Sequence, residues 1–204
     1  MDTTSHDFTW KIDTLGGEGS YLNDVFIVDE NSIWVVGHIE IDSMEYNAAH
    51  WDGISWEMID VYSNTIELHS IFYFSDDDIW VTSHCYPIHW NGSEWVLYHF
   101  EYIGLSGACA GNAIWGDSPS NVYFVGDGGS IVHFDGSGFN RMESGTDVTL
   151  LDIKGDPNSD EVFAMGWEAE FPAPNIVLEY DNLSWDTIYL KMGSQSSIGN
   201  YGGV

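Results

Sequence analysis

The sequence predicts an all-β fold, a β-propeller of four-stranded antiparallel blades, from three observations. A strand–turn–strand unit occurs four times within 204 residues. Successive copies are offset by 39, 44 and 46 residues, measured at His50, His89, His133 and Glu179. No stretch longer than about ten residues holds the 3.6-residue apolar period of a helix. Repetition at this spacing, with strands inside each repeat, is typical of propeller blades.

The clearest copy of the unit runs from Asn121 to Phe139. Its two apolar segments, 122–125 and 131–134, are joined by Gly-Asp-Gly-Gly, whose glycines can take the positive φ that tight hairpins need. The upstream segment recurs from Ile33, Ile79 and Val162. The downstream segment recurs as an aromatic residue followed by Asp or Asn and a turn. Each unit is therefore interpreted as a β-hairpin at the centre of one blade.

We predict one domain, residues 1–204, with blades at 22–62, 66–100, 110–143 and 147–190. Residues 8–14 resemble the outermost strand of the first blade and are predicted to be a lone outer strand. Residues 191–204 resemble the start of a further blade. We therefore expect the chain to be a fragment of a longer propeller, with about four complete blades and partial strands at both ends.

The second strand of each blade carries a large aromatic residue at the same position of the repeat. The unbroken apolar run from Ile33 to Val36 indicates a strand covered on both faces, as neighbouring blades would cover it. The aromatic positions predicted to lie between blades are Trp34, Trp80, Tyr123 and Phe163.

The charge of the chain excludes two classes of partner. The formal net charge is −29, from 33 acidic residues and four Lys or Arg. This charge excludes sequence-independent nucleic-acid binding, because a phosphate backbone would be repelled. No apolar run approaches the ~20 residues that span a bilayer, so no membrane insertion is expected. The first residues show neither the basic nor the apolar region of a signal peptide.

The third repeat carries a family resemblance. From Ile114-Trp115-Gly116 through His133-Phe134-Asp135-Gly136 to Ser144-Gly145-Thr146, the chain resembles secreted or lipid-anchored bacterial β-propellers of environmental Bacteroidetes-like lineages. More distantly it is similar to Kelch, sialidase-type and photosystem-assembly-factor propellers. The resemblance covers nearly the whole chain, and it implies an extracellular or cell-surface location for the parent protein.

The resemblance does not extend to sialidase chemistry. The sequence lacks the Ser-x-Asp-x-Gly-x-Thr-Trp box, and its single arginine, Arg141, cannot form an arginine triad. It also lacks a Gly-x-Ser-x-Gly elbow, a phosphate loop and a His-Glu-x-x-His motif. No catalytic residue is predicted.

Two patterns suggest metal binding, and a structural interpretation is preferred for both. His50, His89 and His133 occupy the same third-strand position in successive blades, so we expect each to bond within its own blade rather than share a metal. Asp156-x-Asn158-x-Asp160 alternates like a calcium loop but lacks the required glycine and the bidentate glutamate. We expect no cofactor and no metal site, with Ca²⁺ left open.

Ligands of propellers usually meet the turns between second and third strands, together with the connections between blades. Two long turns of this kind mix acidic and aromatic side chains, which suits sugar or protein binding. The predicted binding residues are Glu40, Asp42, Tyr46, Tyr86, Trp167, Glu168, Glu170 and Phe171. Cys85 and Cys109 fall in adjacent segments of the same face, which leaves open a disulfide or two small buried thiols.

The predicted function is a non-catalytic extracellular binding or scaffolding propeller that recognises a glycan, peptide or partner domain through this loop face. The alternative is an exported carbohydrate-active enzyme, a hydrolase or lyase, with a site built from loops. Association through unpaired strand edges is also left open. A deep axial pocket with convergent carboxylates would favour the enzyme, and a shallow aromatic surface would favour binding.

Overall fold

The computed structural model describes residues 12–63, 66–157, 159, 161–168 and 175–191. Within these residues, four antiparallel sheets each contain four strands in chain order, and we name the sheets blades 1 to 4. Blade 1 contains β1 (Tyr21–Asp29), β2 (Ser32–Ile41), β3 (Met44–Trp51) and β4 (Trp56–Ile59). Blade 2 contains β5 (Ser70–Ser75), β6 (Asp78–Ser83), β7 (Tyr86–Trp90) and β8 (Trp95–Leu97). Blade 3 contains β9 (Ala113–Ser118), β10 (Asn121–Val125), β11 (Ile131–Phe134) and β12 (Phe139–Met142). Blade 4 contains β13 (Leu150–Gly155), β14 (Val162–Trp167), β15 (Asn175–Tyr180) and β16 (Trp185–Lys191).

The ends of each sheet lie within about four residues of the ends of the corresponding predicted blade. Two short 3-10 turns, at Phe100–Ile103 and Asp127–Gly129, interrupt the connections. Within the described ranges no helix is long and apolar enough to cross a membrane. The predicted strand at 8–14 and the predicted further blade at 191–204 lie outside the described residues, apart from 12–14 and Lys191.

The turn between third and fourth strands is closed in the same way in every blade. The first turn residue accepts hydrogen bonds at its side-chain Oδ1 from the backbone N–H groups two and three residues later. This residue is Asp52, Asn91, Asp135 or Asp181. At Asp135 a further bond from the Ser137 hydroxyl helps to lower the carboxyl pKa to about 2. The residue after it has a positive φ, from 70° to 90°, which explains the glycines at this place and the asparagine at 182.

Each blade buries the sheet face that is turned towards a neighbouring blade, so blades 2 and 3 bury both of their faces in this way. We call the face towards the next blade the forward face and the opposite one the rear face. One hydrophobic cluster joins blades 1 and 2, another joins blades 2 and 3, and a third joins blades 3 and 4. Because side chains alternate along a strand, the strands of blades 2 and 3 contribute to two of these clusters, one on each face. Three layers of core therefore separate the four blades.

Three of the four aromatic residues predicted to lie between blades are packed in these inter-blade clusters. Trp34 packs on the cluster between blades 1 and 2, Trp80 is fully buried, and Tyr123 is 4% exposed between blades 3 and 4. Phe163 lies on the equivalent forward face of blade 4, and no blade following blade 4 is among the described residues, so its position between blades stays a prediction. Val162 and Ala164 face blade 3, so Phe163 points to the forward face of blade 4, where it is half-buried.

Candidate functional site

The three repeated histidines form local units within their blades. Each imidazole stacks on the aromatic residue of the adjacent second strand: His50 on Trp34 (ring centroids 4.5 Å apart), His89 on Trp80 (4.0 Å) and His133 on Tyr123 (4.5 Å). Each Nε2 also lies within hydrogen-bond distance of the first residue of that strand: Ser32 Oγ (3.0 Å), Asp78 Oδ1 (2.8 Å) and Asn121 Oδ1 (2.7 Å). These contacts support a structural role, and each of the three rings makes them within its own blade.

Burial lowers the pKa of His133 below its ordinary value of 6.5. The unfolded chain then binds more protons, so the contribution to stability is complete above about pH 6.5 and is lost as the pH falls through the folded-state pKa. We expect the urea midpoint of the native protein to fall more between pH 7.5 and pH 5.5 than that of His133→Gln. The exposed His84→Gln serves as control and should behave like the native protein. Equal pH dependence in His133→Gln and the native protein would contradict this role.

A groove of about 390 Å³ lies between blades 1 and 2. Blade 1 contributes Trp34, His50, Glu57 and Ile59, and blade 2 contributes Asp76, Ile79, Trp90 and Trp95. These residues belong to the sheet ends that carry the first-to-second and third-to-fourth strand turns. The groove therefore opens at the opposite end of the blades from the predicted loop face. We call it the blade 1/2 groove.

Two indoles form the aromatic wall of the blade 1/2 groove. Trp90 and Trp95 face each other across the β7–β8 pair, with ring centroids 5.5 Å apart and an interplanar angle of 46°. The Nε1–H of Trp90 donates to the backbone carbonyl of Asp76 at 3.0 Å, which fixes the orientation of that ring. The Trp90 ring is therefore held in one orientation, and the wall is largely apolar.

The carboxylates of the blade 1/2 groove are hydrogen-bond acceptors. Glu57 is exposed and pairs in register with His50, while Asp76 is exposed in the turn before β6. The hydroxyl of Tyr73 donates to Oδ1 of Asp76 at 2.7 Å. Burial, and then this carboxylate, raise the pKa of Tyr73 to about 12, so the phenol remains a donor. Carboxylates beside fixed indoles can accept hydrogen bonds from a ligand whose apolar face rests on the rings.

An equivalent aromatic pair recurs in every blade. This recurrence is the sequence signal by which the wall of the groove could have been found. The pairs are Trp51–Trp56, Trp90–Trp95, Phe134–Phe139 and Tyr180–Trp185. A second groove, of about 520 Å³, is lined by Phe134 and Phe139 together with Tyr98 and Ile103. In this second groove phenyl rings replace the indoles, and no carboxylate is among its lining residues.

The predicted binding residues of blade 1 lie near the β2–β3 turn. Asp42 is exposed in the turn with φ 51°, and Glu40 accepts a backbone hydrogen bond from Gly17 at 2.7 Å. Tyr46 is half-buried and lines a cavity of about 330 Å³ with its neighbours from 43 to 45 and Asp60. This cavity contains only one of the predicted residues.

The remaining predicted residues are on blades 2 and 4. The Tyr86 hydroxyl donates to Glu101, which raises the pKa of the phenol and lowers that of the carboxyl. Trp167 is half-exposed, and Glu168 accepts the backbone N–H of Thr149 at 2.8 Å. Glu170 and Phe171 lie outside the described residues. The described members thus form three groups on three blades, and their shared role in one site stays a prediction.

Cys85 and Cys109 form a disulfide, with Cα atoms 4.1 Å apart. Cys85 follows the exposed turn residue His84 in blade 2, and Cys109 lies in the connection that enters blade 3. Backbone hydrogen bonds flank the bond: Ala110 donates to Cys85, and Asp127 donates to Cys109. The disulfide therefore joins two adjacent blades at the predicted loop face.

The predicted calcium-like turn is only partly described, since Asn158 and Asp160 lie outside the described residues. Elsewhere, in the portion of the chain covered by the structure, no group of three or more His, Cys, Asp or Glu side chains is placed to hold a metal.

Several solved structures resemble this chain, although no family model and no curated protein matches its sequence. YCF48 bound to a D1 peptide matches with a TM-score of 0.59 at 13% identity, over 90% of this chain and 56% of that one. YCF48 from Cyanidioschyzon merolae matches with a TM-score of 0.54 at 12% identity, over 82% of this chain and 56% of that one. The SapL1 lectin in complex with alpha methyl fucoside matches with a TM-score of 0.50 at 14% identity, over 87% of this chain and 66% of that one.

At these identities the likeness concerns the fold alone. The chain spans little more than half the length of the two YCF48 structures. Four consecutive antiparallel sheets, stacked in chain order through shared cores, agree with that likeness. The fold of this chain is a β-propeller with four-stranded blades.

Proposed function

We propose that this chain is a non-catalytic binding propeller that holds a neutral sugar residue of a glycan in the blade 1/2 groove. The observation that supports the proposal is a groove lined both by the indoles of Trp90 and Trp95, the first of them anchored by a hydrogen bond, and by the carboxylates of Glu57 and Asp76. A pyranose has an apolar face of C–H groups and a rim of hydroxyl donors. Rings and carboxylates in one groove match both parts of that ligand.

The charge of the chain favours a neutral ligand over an anionic one. With a net charge of −29, the field around the groove repels sulfated, phosphorylated and uronic-acid glycans. The solved structures with this fold include one with a bound peptide and one with a bound fucoside. A basic peptide is the competing ligand, because it too would be attracted by the field. Its binding is therefore one of the outcomes that the glycan-binding test distinguishes.

We also propose that the protein works outside the cell, at the surface or in the surrounding medium. The disulfide between Cys85 and Cys109 supports this, because structural disulfides persist in oxidising compartments. The acidic surface suits a soluble or displayed domain, since a net charge far from zero prevents non-specific association.

The test is a binding measurement with neutral oligosaccharides. A glycan array should identify a neutral ligand, and calorimetry should then show at least a tenfold loss of affinity for Trp95→Ala and Glu57→Gln. A tenfold loss is about 1.4 kcal/mol, the lower end of what a central aromatic anchor contributes. Glu57 is exposed, so Glu57→Gln keeps the fold while it weakens the acceptor.

Two control variants separate this site from its alternatives. Trp167→Ala removes an exposed aromatic residue of the predicted loop face, and Phe139→Leu alters the second groove. Both should bind the neutral glycan with native affinity. If Trp167→Ala loses glycan binding and Glu57→Gln keeps it, the blade 1/2 groove is not the binding site and the loop face is favoured. If the protein binds basic peptides and no oligosaccharide, the proposed sugar ligand is wrong. If it converts oligosaccharides to shorter products, the alternative of a carbohydrate-active enzyme is favoured.

A further inference from the structure

The turn between β7 and β8 differs from its three equivalents in one chemical group. Asp52, Asp135 and Asp181 begin those turns with a carboxylate, whereas Asn91 begins this one with a carboxamide. Asn91 is followed by Gly92, and this is the only Asn-Gly pair in the sequence. Glycine has no side chain to hinder an approach to its backbone nitrogen. The turn therefore brings a carboxamide next to an unhindered peptide nitrogen.

The carboxamide of Asn91 is held by three hydrogen bonds to one atom. Its Oδ1 accepts from the Ser93 N–H at 3.0 Å, from the Ser93 hydroxyl at 2.7 Å and from the Glu94 N–H at 3.1 Å. Donors that converge on a carbonyl oxygen stabilise the negative charge that develops there when a nucleophile adds to the carbon, as in an oxyanion hole. They also fold the carboxamide back along the residues that follow it, where the Gly92 nitrogen lies. Cγ of Asn91 is thus activated towards attack.

The attacking and leaving nitrogens are both unrestrained. Among the described residues, neither the N–H of Gly92 nor Nδ2 of Asn91 has a hydrogen-bond partner. Both residues are exposed, so water reaches the turn. No hydrogen bond of the described fold has to break for either nitrogen to react, and ammonia can leave into solvent.

The carboxylate of Asp77 lies beside Gly92. A Cβ at position 92 would stand 3.0 Å from Oδ1 of Asp77, whereas the equivalent glycines of blades 1 and 3 meet the side chains of Asn31 and Ser120. A carboxylate at this distance can take the proton of the Gly92 N–H through one bridging water, and so act as a general base. Asp77 is exposed and therefore solvated, as that proton relay requires.

We propose that Asn91 converts itself to aspartate through a cyclic imide. The Gly92 nitrogen attacks Cγ of Asn91 and forms a new N–C bond, and its proton passes through water and the Asp77 carboxylate to the departing Nδ2. The Cγ–Nδ2 bond breaks, and ammonia leaves. Water then adds to Cγ and breaks the Cγ–N bond, which returns a proton to the Gly92 nitrogen and leaves a carboxyl group at position 91. One water is consumed and one ammonia is released, with no oxidant or cofactor.

The folded turn selects aspartate over isoaspartate. Opening the imide at its other carbonyl, the main-chain carbonyl of residue 91, would route the backbone through the side chain and lengthen it by one carbon. β7 and β8 pair Trp90 with Trp95 on either side of the turn, so a longer backbone would strain that pairing. The donors of Ser93 and Glu94 stay directed at the oxygen on Cγ, where they assist the opening that gives aspartate.

Aspartate is also the end of the reaction. Hydrogen bonds from the turn lower the pKa of the Asp135 carboxyl to about 2 and that of Asp52 below its ordinary value. An aspartate at position 91 would take the same hydrogen bonds and stay ionised at neutral pH. A carboxylate is a poor electrophile, so Asp52 and Asp135 do not close the ring, although a glycine follows each of them.

The test is peptide mapping of the native protein after incubation for several weeks at pH 7.5, with fragmentation that separates aspartate from isoaspartate. We expect Asn91 to convert further than any other asparagine of the chain, with aspartate as the main product. Asp77→Asn should convert at least about fivefold more slowly, because water alone replaces a fixed base poorly. Asp147→Asn removes an exposed carboxylate in the connection to blade 4 and is the control for net charge. It should convert at the native rate.

A synthetic peptide of residues 86–96 measures what the fold contributes. The peptide has the same Asn-Gly pair without the rest of the sheet. Its main product should be isoaspartate, because the main-chain carbonyl of the imide is the more electrophilic when no donor is held at the other one. The proposal is overturned if Asn91 of the native protein remains asparagine while the peptide converts. It is also overturned if isoaspartate predominates in the native protein, or if Asp77→Asn converts at the native rate.

This conversion is independent of glycan binding. Asn91 and Gly92 are not among the residues that line the blade 1/2 groove, and the conversion is measured by mass rather than by affinity. Asn91→Asp represents the product, and it should keep the native fold and the native affinity for the neutral glycan. Failure of the conversion therefore leaves the groove as proposed, and failure of glycan binding leaves the conversion as proposed.

Discussion

Replacing Trp80 with alanine is expected to lower the free energy of unfolding by about 3–5 kcal/mol, the range for a large aromatic truncated in a core. Trp80 is fully buried between blades 2 and 3. Its indole stacks on His89 and lies 5.1 to 5.3 Å from the rings of Phe124 and Phe134. Truncation would leave a cavity bordered by two blades, which neither sheet can fill without moving its backbone.

Urea unfolding followed by circular dichroism measures this loss. Trp80→Phe is the matched variant, because the Nε1–H of Trp80 is buried and has no acceptor, so its removal leaves no partner unpaired. We expect Trp80→Phe to lose less than half as much stability as Trp80→Ala. Trp167→Ala, at a half-exposed tryptophan, should stay within about 0.5 kcal/mol of the native protein. A loss below about 1 kcal/mol in Trp80→Ala would contradict an inter-blade position for this ring.

Removing the disulfide is expected to cost about 3–4 kcal/mol. The bond closes a loop with a sequence separation of 24 residues, and loop-closure entropy predicts a loss of this size. The loop contains the outer half of blade 2 and the connection to blade 3. Its release should loosen the boundary between these blades before the rest of the chain.

The double variant Cys85→Ala/Cys109→Ala is compared with the native protein by urea unfolding, with and without reductant. Reductant should destabilise the native protein to nearly the level of the double variant and should leave the variant unchanged. Because the described chain has no free cysteine, no other thiol can respond. Equal stability of the oxidised protein and the double variant would contradict a stabilising role for the disulfide.

Much of the fold could be predicted because each blade is encoded by consecutive residues. Turn chemistry is local: Asp135 and Gly136 are adjacent, and their hydrogen bonds and positive φ follow from residue type alone. The stacking of His133 on Tyr123 follows from register once the hairpin is known. The burial of Phe163 does not follow from local sequence in this way. Its sequence matches the other repeats, but its burial depends on a blade that the described chain does not place beside it.

The blade 1/2 groove could not be predicted in the same way. Glu57 and Trp90 are 33 positions apart, and they meet only because two sheets pack side by side. The aromatic pair Trp90 and Trp95 can be recognised in the repeated sequence. The repeat alone, however, indicates only that these residues belong to neighbouring strands, not that they line a groove. The loop-face residues stand out by composition, and composition does not report the distance between Tyr86 and Trp167.

The succession of strands within each sheet also shapes how the chain reaches its native state. Every sheet is completed by neighbours in sequence, so the loops that must close are short and the contact order inside a blade is low. Any one hairpin can nucleate, and adjacent repeats can then add in either direction. In such a molecule, a substitution that destabilises one blade should affect that blade and its direct neighbours most. The cooperativity of unfolding between two blades should weaken as more blades separate them.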